Sequence, residues 1–549
     1  MASFNFADLF ELAVDAVPER TSLVVGDVRR TYAELEARAN RLAHFLARSG
    51  VEPGQHVGIY AVNGKEWVEG MYAAYKIRAA AVNVNYRYVE DELRYVFSNA
   101  DLAALVFRRE YAPRVAAVRG DVPTLRTLIV SEDGSGADTT GLDDAAEYEE
   151  ALGGESPERD FGPRSGDDRY LLYTGGTTGM PKGVVWRHED IFFALAGGID
   201  AFSGERVRRP EEISERAREA AALGATGMRF FVLPPLMHGA GQMAALRALH
   251  GGDTAVMIPR FDAEEVWRIV DREKVNVISM TGDAMARPLA EALERLRDEV
   301  DVSSVMSMGS SAAIWSPVVK DHIARLVPHA VLTDSIGSSE SGMNGIRVVQ
   351  ADDVPRNGGP NVTAVRDTVV LDEQTLRPLE PGSGVIGKMA RTGNVPLGYY
   401  KDPERTAATF PVVDGVRYAI SGDYAIAEAD GTITLLGRGS QSINTGGEKV
   451  FPEEVEAALK SHPDVFDALV VGLPDERWGE RVTAVVQARP GRAPTLEELD
   501  AHCRQHVAGY KVPRQVFLVD EAPRLVNGKP DYRRARQVAE EAAGTAPRR

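Results

Sequence analysis

Short runs of β-branched and small apolar residues recur along the chain from Thr31: HVGIYA, AALVF, TLIV, RFFVLP, TAVMI, VNVISM, SVMSM and AVLTDSIG. Helix-like or turn-rich sequence separates each from the next, which predicts α/β layers with largely parallel strands over residues 31–439. Ahead of them, MASFNFADLFELAVDAVPER reads as an amphipathic helix with acidic residues, lacking the basic end and apolar core of a secretory signal. Two segments break the rhythm. Residues 131–168 are acidic and rich in Gly, Ser and Asp, and predict a long surface connection with a short helix near 143–152. Residues 205–223 are charged and helical in tendency, and predict a lid or partner-binding face.

After Gly437 and Arg438 the pattern becomes smaller and self-contained. A helix from Pro452, strands ALVVGL and TAVVQA, a helix capped by Thr495 with Glu498, strand QVFLVD and a polar tail predict a compact α+β module. Pro452 suits a first helical position, so Glu453 and Glu454 are expected to serve the helix dipole. The division expected is residues 1–439 and residues 440–549.

Composition narrows the setting. In 549 residues no apolar run reaches the ~18 that a membrane span needs, so a cytoplasmic protein without stable membrane insertion is expected. With 63 basic against 81 acidic side chains the net charge is −18, which disfavours nucleic acid as a partner. Anionic substrates must then meet local positive charge. Cys503, the single cysteine, lies in the helical pattern TLEELDAHCRQHV as a core-face residue, which excludes intrachain disulfides and cysteine metal clusters.

The chemistry is concentrated in residues 174–183, TGGTTGMPKG, directly after a strand-like run. Four glycines, three threonines and a lysine suit a backbone wrapped around phosphate. It is not a Walker A loop: Pro181 precedes Lys182, Gly183 follows it, and β-like VVW comes next where a helix would be required. Four further segments accompany it. LTDSIGSSESG ends a strand at Glu340, a carboxylate suited to magnesium beside backbone suited to a flat base. YAISGDYA and LLGRGSQSINTGGEKV carry Asp423 and Arg438, which can hold ribose hydroxyls or form a plain surface ion pair. RLVNGKPDY sets Lys529 at the tip of an Asn527–Gly528 turn.

In this order, TGGTTGMPKG, DSIGSSES, SGD, GRGSQSINTGGEKV and NGKPDYR resemble the signature segments of the adenylate-forming superfamily of acyl-CoA synthetases, adenylation domains and luciferases. The resemblance spans residues 31–529. It implies a large adenylate-forming N-terminal domain of layered sheets and helices with a small mobile α+β C-terminal domain, using ATP, Mg²⁺ and coenzyme A. By the same resemblance Thr174, Gly175, Gly176, Thr177, Thr178, Gly179 and Lys182 hold the β and γ phosphates, and Thr174 lies near the metal that Glu340 coordinates. By the resemblance Gly309, Ser310, Ser311 and Ala312, with Gly337 and Ser338, form adenine and acyl-pocket walls, and Asp334, Ser335, Ile336 and Ser339 of the same segment are expected to bind the nucleotide. Asp423 and Arg438 hold ribose. His238, in PPLMHGAG, matches a position bordering the acyl site, with a local cap as the equal alternative for a His at a strand end. Lys529 bridges the substrate carboxylate and the α-phosphate, then leaves as the small domain turns at the segment GRGSQS, so that Gly446 and Gly447 line a thiol tunnel. Two positions depart from the pattern: Gln441 replaces the usual hinge Asp, and Ile336 replaces an aromatic.

Within the superfamily, runs such as NVNYRYVEDELRYVFSNAD, MTGDAMARPL and HPDVFDALVVGLPDERWG most resemble bacterial ligases for sterol side-chain acids. Apolar and small residues in MRFFVLPPLMHGAGQMAAL and MSMGSSAAI fit a hydrophobic carboxylic acid, a steroid acid first and a medium or long fatty acid second. The fold admits other fates for the adenylate, namely loading of a carrier protein or luciferase-like oxidation, and the resemblance admits a homodimer. Residues 205–223 are expected to cover the acyl entrance.

Overall fold

Strands that are covered on both faces need apolar side chains at nearly every position, and the runs above meet that demand. In the computed structural model they form two large sheets. The structure describes all residues except 1–2, 175–179, 201–202, 312–314, 350–360, 439–440, 446–447, 476–478, 526–527 and 546–549. In one sheet the strands Ala80–Asn83, His56–Tyr60, Leu102–Arg108 and Thr127–Ser131 run parallel, flanked by an antiparallel hairpin of Arg169–Thr174 with Lys182–Arg187. Strand Gly398–Tyr399 adds to the outer edge of that hairpin.

The other sheet changes character along its width. From Thr21–Val25 through Thr254–Met257, Arg229–Val232, Val277–Met280 and Ser307–Ser310 to Val331–Ser338 the pairing is parallel. Beyond Val331–Ser338 every pairing is antiparallel, through Gly342–Val348 and Asn361–Ala364 to the pair Ala419–Ala427 and Thr432–Arg438. The expectation of largely parallel strands is therefore corrected for residues 342–438, where Val331–Ser338 with Gly342–Val348 and Ala419–Ala427 with Thr432–Arg438 are joined by the short turns that antiparallel pairing permits. The first sheet strand also begins earlier than Thr31, at Thr21.

Helices Phe6–Ala16, Tyr32–Arg48, Lys65–Lys76 and Gly239–His250 share one core with side chains from both sheets, including Val57 and Ile59 of one and Leu23 and Met257 of the other. The helical layer thus fixes one sheet against the other. Thr31 opens its helix with a capping box to Glu34, satisfying backbone N–H groups that the first turn leaves over.

The C-terminal module follows the expected order. Helix Pro452–Lys460 begins on its proline, and Thr495 caps Leu496–Cys503 with Glu498 in a reciprocal box. Strands Val465–Asp475, Gly479–Ala488 and Gln515–Val519 form its sheet. Cys503 is buried, and burial pushes its thiol up to about 12, as befits a core residue. The polar tail is corrected: Tyr532–Thr545 is a helix, laying Ala535 and Ala539 on Leu469, Val471 and Val485. The expected division at 439/440 falls outside the described residues.

Candidate active site

The glycine loop is the tip of the Arg169–Thr174 and Lys182–Arg187 hairpin, and Thr174 stands directly opposite Lys182 at its mouth. Gly175, Gly176, Thr177, Thr178 and Gly179 lie outside the described residues. A Cβ on Gly183 would stand 2.9 Å from the Tyr173 ring, so the glycine lets the hairpin close. The antiparallel pair delivers the loop from a fixed base, with Tyr170 through Tyr173 buried.

Glu340 lies in the turn between Val331–Ser338 and Gly342–Val348. Ser338 Oγ accepts from the backbone N–H of Glu340 at 3.3 Å and of Ser341 at 3.1 Å, which shapes that turn. Trp186, from the glycine-loop hairpin, donates its indole N–H to the Ser339 carbonyl at 3.0 Å. Tyr399 donates its hydroxyl to Glu340 Oε1 at 3.0 Å and sits beside Val184 on the hairpin's edge. Lys182 Nζ lies 5.6 Å from the centre of the same Tyr399 ring. Burial lowers the Lys182 pKa, and Arg405 lowers it further, against the opposing pull of Glu340 and Asp402. Thr174, Lys182, Tyr399 and Glu340 therefore share one corner.

The adjoining strand ends are closely packed. A Cβ on Gly337 would collide with the Gly342 carbonyl, and one on Gly309 would stand 2.9 Å from Thr333 Oγ1. Ser310 Oγ accepts from Gly282 N–H at 2.8 Å, Ser335 Oγ donates to the Ser310 carbonyl at 3.2 Å, and Ser311 N–H donates to Met280 O at 3.1 Å. Asp334 is buried and paired with Lys320, so its carboxylate braces this wall. Ile336 packs on the apolar cluster of Val362, Val370 and Met389. Ala312 is outside the described residues.

His238 occupies the N-cap position of Gly239–His250 but makes no side-chain cap bond, so the local-cap role is not the one it plays. Its Nε2 is buried without a partner among the described residues. Burial first, then the charges of Lys529 and Arg87, lower its pKa to about 4, so the ring is neutral at physiological pH. The turn before Lys529 rests on the first turn of Gly282–Leu296: Gly528 has φ +78°, and a Cβ there would collide with Ala284. Arg524 holds this turn, donating to the Gly528 carbonyl at 3.0 Å while pairing with Asp467 at 2.6 Å. Arg287 stacks 4.4 Å over Phe466 beside it. Asp423 is the cross-strand partner of Arg438. Gly446 and Gly447 lie outside the described residues.

One positioning group carries no motif. Asn83, buried at the end of Ala80–Asn83, accepts from Tyr173 N–H and donates to both the Tyr173 and Met237 carbonyls, each at 2.7 Å. It ties the base of the glycine hairpin to the turn bearing His238. Asn63 accepts from Leu236 N–H at 2.7 Å and Gln242 donates to the Leu236 carbonyl at 2.8 Å, fixing the same turn. Only the alternation of apolar strand and isolated asparagine could have flagged them.

The chain that carries the glycine hairpin, Glu340, His238 and the Lys529 turn has known relatives. A family model described as "AMP-binding enzyme" matches residues 10–400, and one described as "AMP-binding enzyme C-terminal domain" matches residues 454–529. The chain belongs to the AMP-binding enzyme family. It is 53% identical over 538 residues to a 3-oxocholest-4-en-26-oate–CoA ligase of Rhodococcus rhodochrous, covering 97% of this chain and 96% of the relative. A medium/long-chain-fatty-acid–CoA/3-oxocholest-4-en-26-oate–CoA ligase of Mycobacterium tuberculosis is likewise 53% identical, covering 98% and 96%. The crystal structure of the anthranilate CoA ligase AuaEII with anthranoyl-AMP superposes with a TM-score of 0.83 over 99% of both chains at 23% identity, which shows the shared fold. For this AMP-binding enzyme, among the described residues no helix is long and apolar enough to cross a membrane.

A divalent ion can be tested against the donors present. Among the described residues no group of three His, Cys, Asp or Glu could hold a metal, and only Tyr399 donates to the Glu340 carboxylate. That arrangement fits Mg²⁺, which takes one or two carboxylates and fills its remaining positions with substrate phosphates and water.

Proposed function

We propose that this enzyme is an AMP-forming acid–thiol ligase that joins a bulky hydrophobic carboxylic acid, a steroid side-chain acid, to coenzyme A. The observation that carries the reading is the seat of Lys529: its charge acts on His238 while its turn rests against Ala284. A carboxylate oxygen attacks the α-phosphorus of ATP, the bond to pyrophosphate breaks, and an acyl-adenylate forms. Two anions must meet in this step, and Lys529 supplies fixed positive charge at the place where they do. Lys182 and the glycine hairpin hold the departing phosphates. Glu340 and Thr174 would hold Mg²⁺, which neutralises phosphate charge. Neutral His238 borders the acyl group without adding a further charge there, and Asp423 with Arg438 holds the ribose.

In the second step the thiol sulfur of coenzyme A attacks the acyl carbon, the acyl carbon–oxygen bond breaks with its electrons leaving on the AMP phosphate, and the thiol proton passes to solvent. Lys529 must first withdraw, since an arm cannot enter where that turn sits, so residues 440–549 turn as a unit about the segment near Gln441. Gly446 and Gly447 then line the thiol path. The steroid reading is supported by the names of both relatives at 53% identity, and the name of the Mycobacterium tuberculosis relative alone supports medium or long fatty acids as the second substrate class. The enzyme works in the cytoplasm on ATP, the acid and coenzyme A. Incubation with ATP, coenzyme A and a panel of carboxylic acids, followed by mass spectrometry of the thioesters, tests it: steroid acids should give the largest kcat/KM, and thioesters from fatty acids alone would overturn the substrate.

A further inference from the structure

Ala284 and Arg287, three residues apart on the helix Gly282–Leu296, share one face, and both meet the C-terminal module there. Gly528 packs on Ala284. The Arg287 guanidinium lies 4.4 Å from the centre of the Phe466 ring, and its Nη2 donates to the Phe466 carbonyl at 3.3 Å. Asp283, one turn back, holds the guanidinium at 3.7 Å and is itself fixed by the Ser316 N–H at 2.8 Å. The Arg287 side chain is 15% exposed, so its stack on the ring is largely shielded from water, where a cation over an aromatic face counts for most.

The module is shaped to receive this side chain. In Val465–Asp475 the ladder pairs Val465 with Ala488 and Asp467 with Gln487, which leaves Phe466 as the extra residue of a bulge. A bulge re-aims a side chain and releases its backbone from the ladder, and here ring and carbonyl both turn to Arg287. The next residue, Asp467, accepts from Nε and Nη2 of Arg524 at 2.6 and 2.7 Å, and Arg524 Nη1 donates to the Gly528 carbonyl at 3.0 Å. Lys529 follows directly, its carbonyl accepting from Leu525 N–H at 2.8 Å. A continuous run of contacts thus joins Arg287 on one module to the lysine turn on the other.

We propose that Arg287 is a positioning residue: its grip on Phe466 holds the C-terminal module in the orientation that seats Lys529 for adenylate formation, and the grip opens when the module turns for thiolysis. This rests on the two-step reading above. Arg524 and Asp467 lie within the module and travel with it, whereas Arg287 reaches across to it. A cation over a ring with one hydrogen bond to a carbonyl biases one orientation over another yet breaks in each turnover, where a buried ion pair would resist opening.

The test measures adenylate formation and thiolysis of supplied acyl-adenylate separately, by single turnover, in the full chain as wild type, R287M, R287K, F466L and the double variant R287M/F466L. Adenylate formation should fall roughly 10-fold in R287M and recover in part in R287K, which keeps a cation over the ring, while thiolysis is unchanged or faster. The double variant should be no slower than R287M, because both substitutions break one contact. Equal loss in both half-reactions, or losses in R287M and F466L that multiply in the double variant, would show that Arg287 only supports its own helix, and would overturn the proposal. Should R287M fail to fold, F466L decides: an unaltered ratio of the two rates overturns it. Wild type without acid-dependent adenylate formation overturns the two-step reading and this inference together, whereas wild-type adenylate formation that R287M leaves intact overturns the inference alone.

Discussion

Tyr399 and Glu340, far apart in sequence, meet at 3.0 Å, the phenol donating to the carboxylate. Burial pushes the Tyr399 hydroxyl well above its usual range, so it remains a donor at any working pH. Tyr399→Phe leaves the ring under Lys182 but frees the carboxylate to turn. The magnesium concentration for half-maximal adenylate formation should rise about 10-fold, with thiolysis of supplied acyl-adenylate little affected. Magnesium titrations of each half-reaction check it, and an unchanged magnesium requirement would remove Glu340 from the metal site.

If Lys529 has the role proposed for it, Lys529→Ala should slow adenylate formation about 100-fold or more, through loss of the charge that would draw carboxylate and α-phosphate together. Thiolysis of supplied acyl-adenylate should keep most of its rate. Single-turnover measurement of both half-reactions separates these, and comparable loss in each would show that the lysine has another role.

Asn83→Ala deprives Tyr173 N–H, Tyr173 O and Met237 O of their buried partner at once. At ~1–3 kcal/mol for each group left unsatisfied, a loss of about 3 kcal/mol in unfolding free energy is expected. Because the amide joins the base of the glycine hairpin to the turn bearing His238, the proposed function predicts that KM for ATP and KM for the acid rise together. Denaturant titration with steady-state kinetics checks both, and a rise in one KM alone would contradict the bridge.

Stability should fall in acid for a reason visible in the core. His188 and His250 are buried, and burial lowers them from 6.5 to about 4 and about 3. Between those values and 6.5 the unfolded chain takes up protons that the folded chain refuses, so stability is complete above pH 6.5 and lost below it. The loss is on the order of 1–2 kcal/mol per histidine at pH 5. Asp253, pushed up to about 6 by burial, acts in the opposite direction over pH 3.8 to 6 and offsets part of it. Urea midpoints from pH 5 to 8 give the slope, and His250→Phe, which fills a site lined by Phe6 and Tyr72, should flatten it.

Much of this was readable in the letters. The β-branched runs announced their strands because a strand covered on both faces has no polar position, and Pro452 and the Thr495–Glu498 pair announced helix starts through backbone chemistry confined to four residues. The helix Tyr532–Thr545 did not announce itself, since its buried face is made of Ala535 and Ala539 amid Arg and Glu. The antiparallel half of the larger sheet was equally hidden, because pairing direction depends on connections and leaves no mark on a single strand. Asn83 and Tyr399 act through partners 90 and 59 residues away, a distance at which no local pattern records the contact.

The most direct test of the account is exchange of labelled pyrophosphate into ATP by the purified enzyme with magnesium and hydrophobic acids, in the absence of coenzyme A. Exchange that requires the acid, and that largely disappears in Lys529→Ala, is the predicted result. No exchange with any acid, from folded enzyme that binds ATP, would contradict it.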